Sequence, residues 1–201
     1  MKPKLSSAEQ TRLVELIQYL NLEEMRRFAD DHELELYIHV ERSDGSLKRT
    51  TDRDRKDIVL SRFLNFALNG VRTGPTIYAH AIVAQGPLPS ELTNRTRLRY
   101  NQYEKHNPRF LNAMAQLTNG TFRTGMIARL VLRDFWTAGK APTLRQFADE
   151  WSRAQKAHTS PRPEGAYLVD RWKGEAGPDW KKTRARNARE ALKLVAKTRK
   201  A

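Results

Sequence analysis

The chain has 201 residues, 39% of them hydrophobic, which suits one domain of ordinary size or two small ones with a packed core. There is no cysteine, which excludes disulfides, thiolate metal sites and a cysteine nucleophile. Lys and Arg number 37 against 23 Asp and Glu, a net +14, and such a field draws DNA, RNA or an anionic membrane surface.

Ser6 with Glu9 three residues on forms a capping-box signature. Leu13, Leu16, Ile17 and Leu20 then make an apolar helical stripe. Asn21 with Glu24 restarts the pattern, and Leu22, Met25, Phe28 and Ala29 share a second stripe. Over residues 35–51 the period changes: Leu36, Ile38 and Val40 alternate with Tyr37, His39 and Glu41 before Asp44-Gly45. This spells a β-hairpin. A two-residue turn there sets Arg49 opposite Val40, so a looser turn that shifts the pairing by one is the alternative. Asp52 or Asp54 is the expected cap of the next helix, which carries Ile58, Val59, Leu60, Phe63, Leu64, Phe66 and Ala67 and closes at Asn69-Gly70. The run Ile77–Ala84 holds three alanines and leans to a short helix. Gly86-Pro87-Leu88-Pro89 is the natural boundary between halves.

Residues 1–92 hold 13 basic and 14 acidic side chains, whereas residues 93–201 hold 24 and 9. The second half opens with Arg95, Arg97 and Arg99. In an extended segment the three share one face as an arginine ladder; in a helix they are dispersed, and the local pattern leaves both open. Asn107-Pro108 caps a helix with Phe110, Leu111, Met114 and Leu117, ending at Asn119-Gly120. A helix from about Thr124 to Gly139 and another capped by Thr143 form a helical hairpin, with the outline of a helix-turn-helix. Its second helix, 143–157, exposes Arg145 and Gln146, types that read base edges, but also Asp149 and Glu150, so simple packing is the expected role. Residues 158–179 are rich in Pro and Gly, with Tyr167 and Trp172 among them, and read as an irregular tether. A final helix follows from Asp179. Trp180, Ala188, Ala191, Leu192 and Val195 form its thin apolar side, and basic residues cover the rest. So thin a face is expected to dock on the domain or to order on nucleic acid.

Lys56-Asp57-Ile58-Val59-Leu60-Ser61-Arg62-Phe63 carries a spaced pattern of Lys, two apolar residues, Arg and a further apolar residue. With Leu22-Glu23-Glu24-Met25-Arg26-Arg27-Phe28-Ala29 before it, this stretch resembles the SAP-type helix–extended–helix module over residues 21–70, about a quarter of the chain. The resemblance implies duplex-DNA binding, with Arg53, Arg55, Lys56 and Arg62 as the local contacts. The chain departs from the family's pattern where Asp54 replaces a glycine two residues before the Lys, and where the hairpin widens the loop. Asp52, Asp54 and Asp57 also dilute the positive field.

Phosphate contacts from Lys and Arg give sequence-independent affinity through counterion release. The expected contacts are Arg95, Arg97, Arg99, Arg123 and Arg145, with Lys181, Lys182, Arg184, Arg186 and Arg189 on the last helix. Tyr100 and Tyr103 next to the arginines could stack on bases, or pack against the Phe110–Met114 helix. The last helix could also lie on an anionic membrane, but its apolar side is mostly alanine, so nucleic acid is the expected partner and a membrane is not. No histidine pair has metal spacing, and no phosphate loop or nucleophile elbow is present. Asp52, Asp54 and Asp57 alternate with Arg53, Arg55 and Lys56, which would neutralise a metal site. No catalytic residue, metal or cofactor is therefore expected.

The expectation is a mainly α, cytoplasmic, non-enzymatic nucleic-acid binder, nucleoid-associated if the ligand is DNA, with DNA ahead of RNA. Residues 1–86 would form a SAP-like helical module with an inserted β-hairpin, 87–157 a basic helical module, and 158–201 the tether and a C-terminal basic helix. Residues 1–92 could recruit a protein partner. The competing classes are a small basic subunit of a nucleoprotein assembly and an unrecognised nuclease.

Overall fold

The computed structural model describes residues 5–157 and 180–198. Among these are seven α-helices: α1 Ser7–Ile17, α2 Leu22–His32, α3 Lys56–Asn69, α4 Pro108–Leu117, α5 Met126–Thr137, α6 Leu144–Ala157 and α7 Trp180–Lys197. Strands β1 Tyr37–Glu41, β2 Leu47–Arg53 and β3 Ile77–Tyr78 form one sheet in the order β2-β1-β3. The fold is mainly α with an inserted hairpin, in agreement with the sequence pattern. The tether expected at 158–179 lies outside the described residues.

Two compact units interleave along the chain. Within the described residues, unit 1 comprises 5–37, 52–75 and 180–198, and unit 2 comprises 38–51 and 76–157. These limits differ from the expected 1–86, 87–157 and 158–201. The hairpin joins unit 2 because β1 pairs in parallel with β3, His39 opposite Ile77 and Val40 opposite Tyr78. Helix α7 joins unit 1 because its apolar side completes that core.

In unit 1 both capping boxes form. Ser6 Oγ accepts from Glu9 N–H at 3.3 Å while Ser6 N–H donates to the Glu9 carboxylate at 2.9 Å. Asn21 and Glu24 do the same at 2.8 and 2.7 Å. Each cap supplies about 1 kcal/mol. Leu13, Leu16 and Ile17 of α1, Phe28 of α2, and Val59, Leu60 and Phe63 of α3 share one core with Ala188, Ala191, Leu194 and Val195 of α7. Burying a Leu or Val contributes about 1.5–3 kcal/mol, so two large side chains and two alanines suffice to dock α7. The expected Asp cap of α3 is not formed. Arg55 is the N-cap and makes no side-chain cap bond, because the Asp54 carboxylate is drawn inward to Arg62.

In unit 2 the hairpin closes between Arg42 and Ser46: Arg42 N–H donates to Ser46 O at 2.9 Å. The loop is therefore 43–45, one residue longer than the Asp44-Gly45 turn, with Gly45 at φ +79° supplying the left-handed position. The turn is thus the looser of the two alternatives. The run from Ile77 is not the short helix expected from its alanines. It starts as β3 and then makes one 3-10 turn, His80–Ile82, since pairing to β1 and the ring packing of Tyr78 outweigh local propensity. The core gathers Tyr78, Leu98, Phe110, Met114, Phe147 and Trp151. Helix α4 starts as expected, with Asn107 Oδ1 accepting from Arg109 N–H and Phe110 N–H at 3.0 and 3.2 Å. Thr143 and Gln146 form a reciprocal cap on α6 at 2.9 and 3.1 Å.

Candidate nucleic-acid interface

Three cations of the SAP-like pattern, Arg62, Lys56 and Arg55, are engaged by unit 1 itself, which corrects their assignment as phosphate contacts. The Arg62 side chain is 5% exposed; its Nη2 sits 2.8 Å from Asp54 Oδ2, itself 3% exposed, and its Nη1 donates to Glu35 O at 3.2 Å. Lys56 Nζ donates to Gln18 O. Arg55 pairs with Asp57 at 3.3 Å and is largely covered. Arg53 is half-buried. Arg62 and Lys56 tie α3 to the rest of unit 1. Asp54 and Asp57 pair with Arg62 and Arg55, and among the described residues no group of three or more carboxylates or histidines is placed to hold a metal.

Both candidate stacking rings are also structural. Tyr100 is 6% exposed, with its ring centroid 5.0 Å from Tyr78 and 5.5 Å from Trp136. Tyr103 lies edge-on to Phe110 at 5.6 Å and its hydroxyl donates to Thr124 O at 3.1 Å; burial raises its pKa, partly offset by Arg129. The large hydrophobic side chains left exposed among the described residues are Val14, Leu22, Leu47, Val71, Ile77 and Met126, none of them aromatic.

The stretch carrying Arg97 and Arg99 realises the extended alternative through isolated bridges, whereas Arg95 sits in a turn closed by Thr96 N–H to Thr93 O at 3.1 Å. Segment 93–100 is held by Leu98 N–H to Pro142 O (2.8 Å), Leu144 N–H to Thr96 O (2.9 Å), Arg145 N–H to Asn94 O (3.1 Å) and Tyr100 N–H to Ile82 O (2.9 Å). Leu98, at 0% exposure, and Tyr100 point inward, and the three arginines alternate outward. Two residues of extended chain span about 6.6 Å, which sets the spacing of Arg97 and Arg99, with Arg95 following in the adjoining turn. Arg97 Nη1 donates to Ala141 O at 3.1 Å, which fixes its stem. Exposed Lys140 stands next to that carbonyl. Its proximity could not be read locally, because it depends on residues 97 and 141 meeting across 44 positions. Among the described residues no carboxylate lies within 4.0 Å of Arg95, Arg97, Arg99 or Lys140.

Arg123 is exposed with its guanidinium on the Gly120 and Phe122 carbonyls. Arg145 is exposed but lies 3.9 Å from Asp149, and Arg153 pairs with Glu150. The outer face of α6 is thus self-neutralised, and Gln146 caps its own helix. That is the packing role expected for the helical hairpin.

On α7, Arg184 is withdrawn from any surface contact: its Nη1 lies 2.6 Å from Glu24 Oε2 and 3.2 Å from Tyr19 O. Lys197 Nζ donates to Glu9 at 2.7 Å, and Arg12 pairs with Glu190 at 2.9 Å. Hydrogen bonds from Lys197 and from Ser6 N–H hold the Glu9 carboxyl down to about 2; the Arg12 bond likewise lowers Glu190. Lys181, Lys182, Arg186 and Arg189 are exposed. Folding therefore returns part of the C-terminal charge to the acidic N-terminal helices. Among described residues unit 1 carries 15 basic and 12 acidic side chains, and unit 2 carries 15 and 7. The surplus is concentrated in unit 2. Among the described residues no helix is long and apolar enough to cross a membrane. Comparison with protein-family models, curated proteins and solved structures returns no match for this chain.

Proposed function

We propose that this chain is a non-enzymatic nucleic-acid-binding protein that grips the phosphate backbone of duplex DNA through Arg95, Arg97 and Arg99. The observation that carries this reading is the alternation at 95–100, which anchors two side chains in the core and leaves three unneutralised guanidiniums in a row. Each can take a bidentate, charge-assisted bond to a phosphate. Duplex is favoured over single strands because Tyr100 and Tyr103, which would have stacked on unpaired bases, are committed to the protein. The resemblance to SAP-type modules favours DNA over RNA.

The test is equilibrium binding of the full chain to duplex DNA, single-stranded DNA and RNA of equal length, at about 50 and 200 mM salt. The expected result is a preference for duplex and a steep loss of affinity with salt. No binding at about 50 mM, or a preference for single strands, would overturn the proposal. Its competitor is a small basic subunit of a nucleoprotein assembly, favoured by the near balance of charge in unit 1; that reading expects weak binding to all three probes.

A further inference from the structure

The basic residues of α7 fall into two sets. Arg184 and Lys197 lie on its flanks and are neutralised by Glu24 and Glu9. Arg186, Arg189 and Lys193 recur at i, i+3 and i+7 and so occupy one strip of the helix. All three are exposed, while Ala188, Ala191 and Val195 on the other side are 0–3% exposed. Among the described residues no carboxylate lies within 4.0 Å of Arg186, Arg189 or Lys193.

We infer that this strip is a second phosphate-binding track, carried by unit 1 and separate from the arginine ladder of unit 2. The inference rests on the proposed nucleic-acid reading and extends it: the chain holds duplex DNA at two places rather than one. Three features support it. The strip runs about 10 Å at 1.5 Å per residue, within reach of successive phosphates along one strand. Its helix is fixed from below by apolar burial and flanking ion pairs, so the backbone that carries these cations is in place before any ligand arrives. Glu9 and Glu24 are used at the flanks of α7, and Glu190, whose carboxyl is held down mainly by Arg12 with Arg186 and Lys193 contributing, is the acidic group on the strip's own helix. An acidic protein surface is the other partner such a strip could serve; among the described side chains of residues 181–198 no large apolar one is exposed, which disfavours it, since protein interfaces need an apolar centre.

The experiment uses the full chain and a duplex of about 30 base pairs, with affinity measured across a salt series. The variant R186Q/R189Q/K193Q removes three exposed charges and keeps good helix formers, so helix content by circular dichroism should match the parent. Each lost phosphate contact lowers the slope of log affinity against log salt by about 0.9. The expected result is a slope smaller by about 2–3 and binding at least about tenfold weaker at low salt, with R186K/R189K retaining the parent slope. An unchanged slope and affinity in the folded triple glutamine variant overturns the second track. The outcome for the ladder is separate: if R95Q/R97Q/R99Q alone abolishes binding, the proposed function stands and the α7 track falls. If the parent chain binds no duplex at all, the nucleic-acid reading itself has failed.

Discussion

Arg62→Met separates a structural from a DNA-contacting role for the most distinctive residue of the SAP-like pattern. Arg62 and Asp54 are 5% and 3% exposed and 2.8 Å apart. Methionine keeps the aliphatic stem but removes the cation, leaving the Asp54 carboxylate buried without that partner and Glu35 O without its 3.2 Å donor. Breaking a buried pair from one side costs about 3–5 kcal/mol, a large share of a typical total of about 5–15. Replacing both residues, as D54L/R62M, removes the stranded charge and should recover most of the loss. Urea unfolding followed by far-ultraviolet circular dichroism measures both effects. Duplex affinity of the folded Arg62→Met chain should stay within about twofold of the parent, a shift well below 1.4 kcal/mol. A stability loss under about 1 kcal/mol, or a tenfold loss of duplex affinity in a chain that remains folded, would refute the assignment.

Other consequences can be measured on single variants. Tyr100→Ala should lose about 3–5 kcal/mol of stability, because its ring is packed on Tyr78 and Trp136; a stable variant with impaired binding would restore the stacking role. Tyr103→Phe deletes one hydrogen bond to Thr124 O and should cost about 0.5–1.5 kcal/mol in urea unfolding with duplex affinity unchanged. Glu9 titrates at about 2 in the folded chain, below its ordinary 4.5. Its contribution is therefore complete above pH 4.5 and is lost as pH falls toward about 2. Thermal melts of Glu9→Gln should show a flatter acid limb over that window, and an acid limb identical to the parent's would remove the Glu9–Lys197 latch.

Much of the fold was legible because it is local. The Ser6–Glu9 and Asn21–Glu24 boxes, the Asn107-Pro108 start and the Thr143 cap are decided by residues within four positions. Strand β3 was missed because Ile77 and Tyr78 extend to meet β1, nearly forty positions earlier, against their alanine-rich context. The ladder remained open in the sequence for the same reason: residues 96–98 are extended only because 142–144 supply their partners. Charge was the least transferable signal. Segregation between halves of the sequence pointed to unit 2, but Arg62 and Arg184 find Asp54 and Glu24, 8 and 160 positions away, and leave the surface. The docking of α7 also means that cutting the chain near residue 92 would strip Leu194 and Val195 from the core of unit 1.

The most direct test is the salt dependence of duplex binding by the full chain, compared with R95Q/R97Q/R99Q. The three side chains are exposed, so stability should change by no more than about 0.5 kcal/mol per site. If they grip phosphates, the slope falls by about 2–3 and low-salt affinity drops with it. A folded triple variant that binds duplex with the parent's affinity and slope would contradict the assignment of the ladder as the DNA grip.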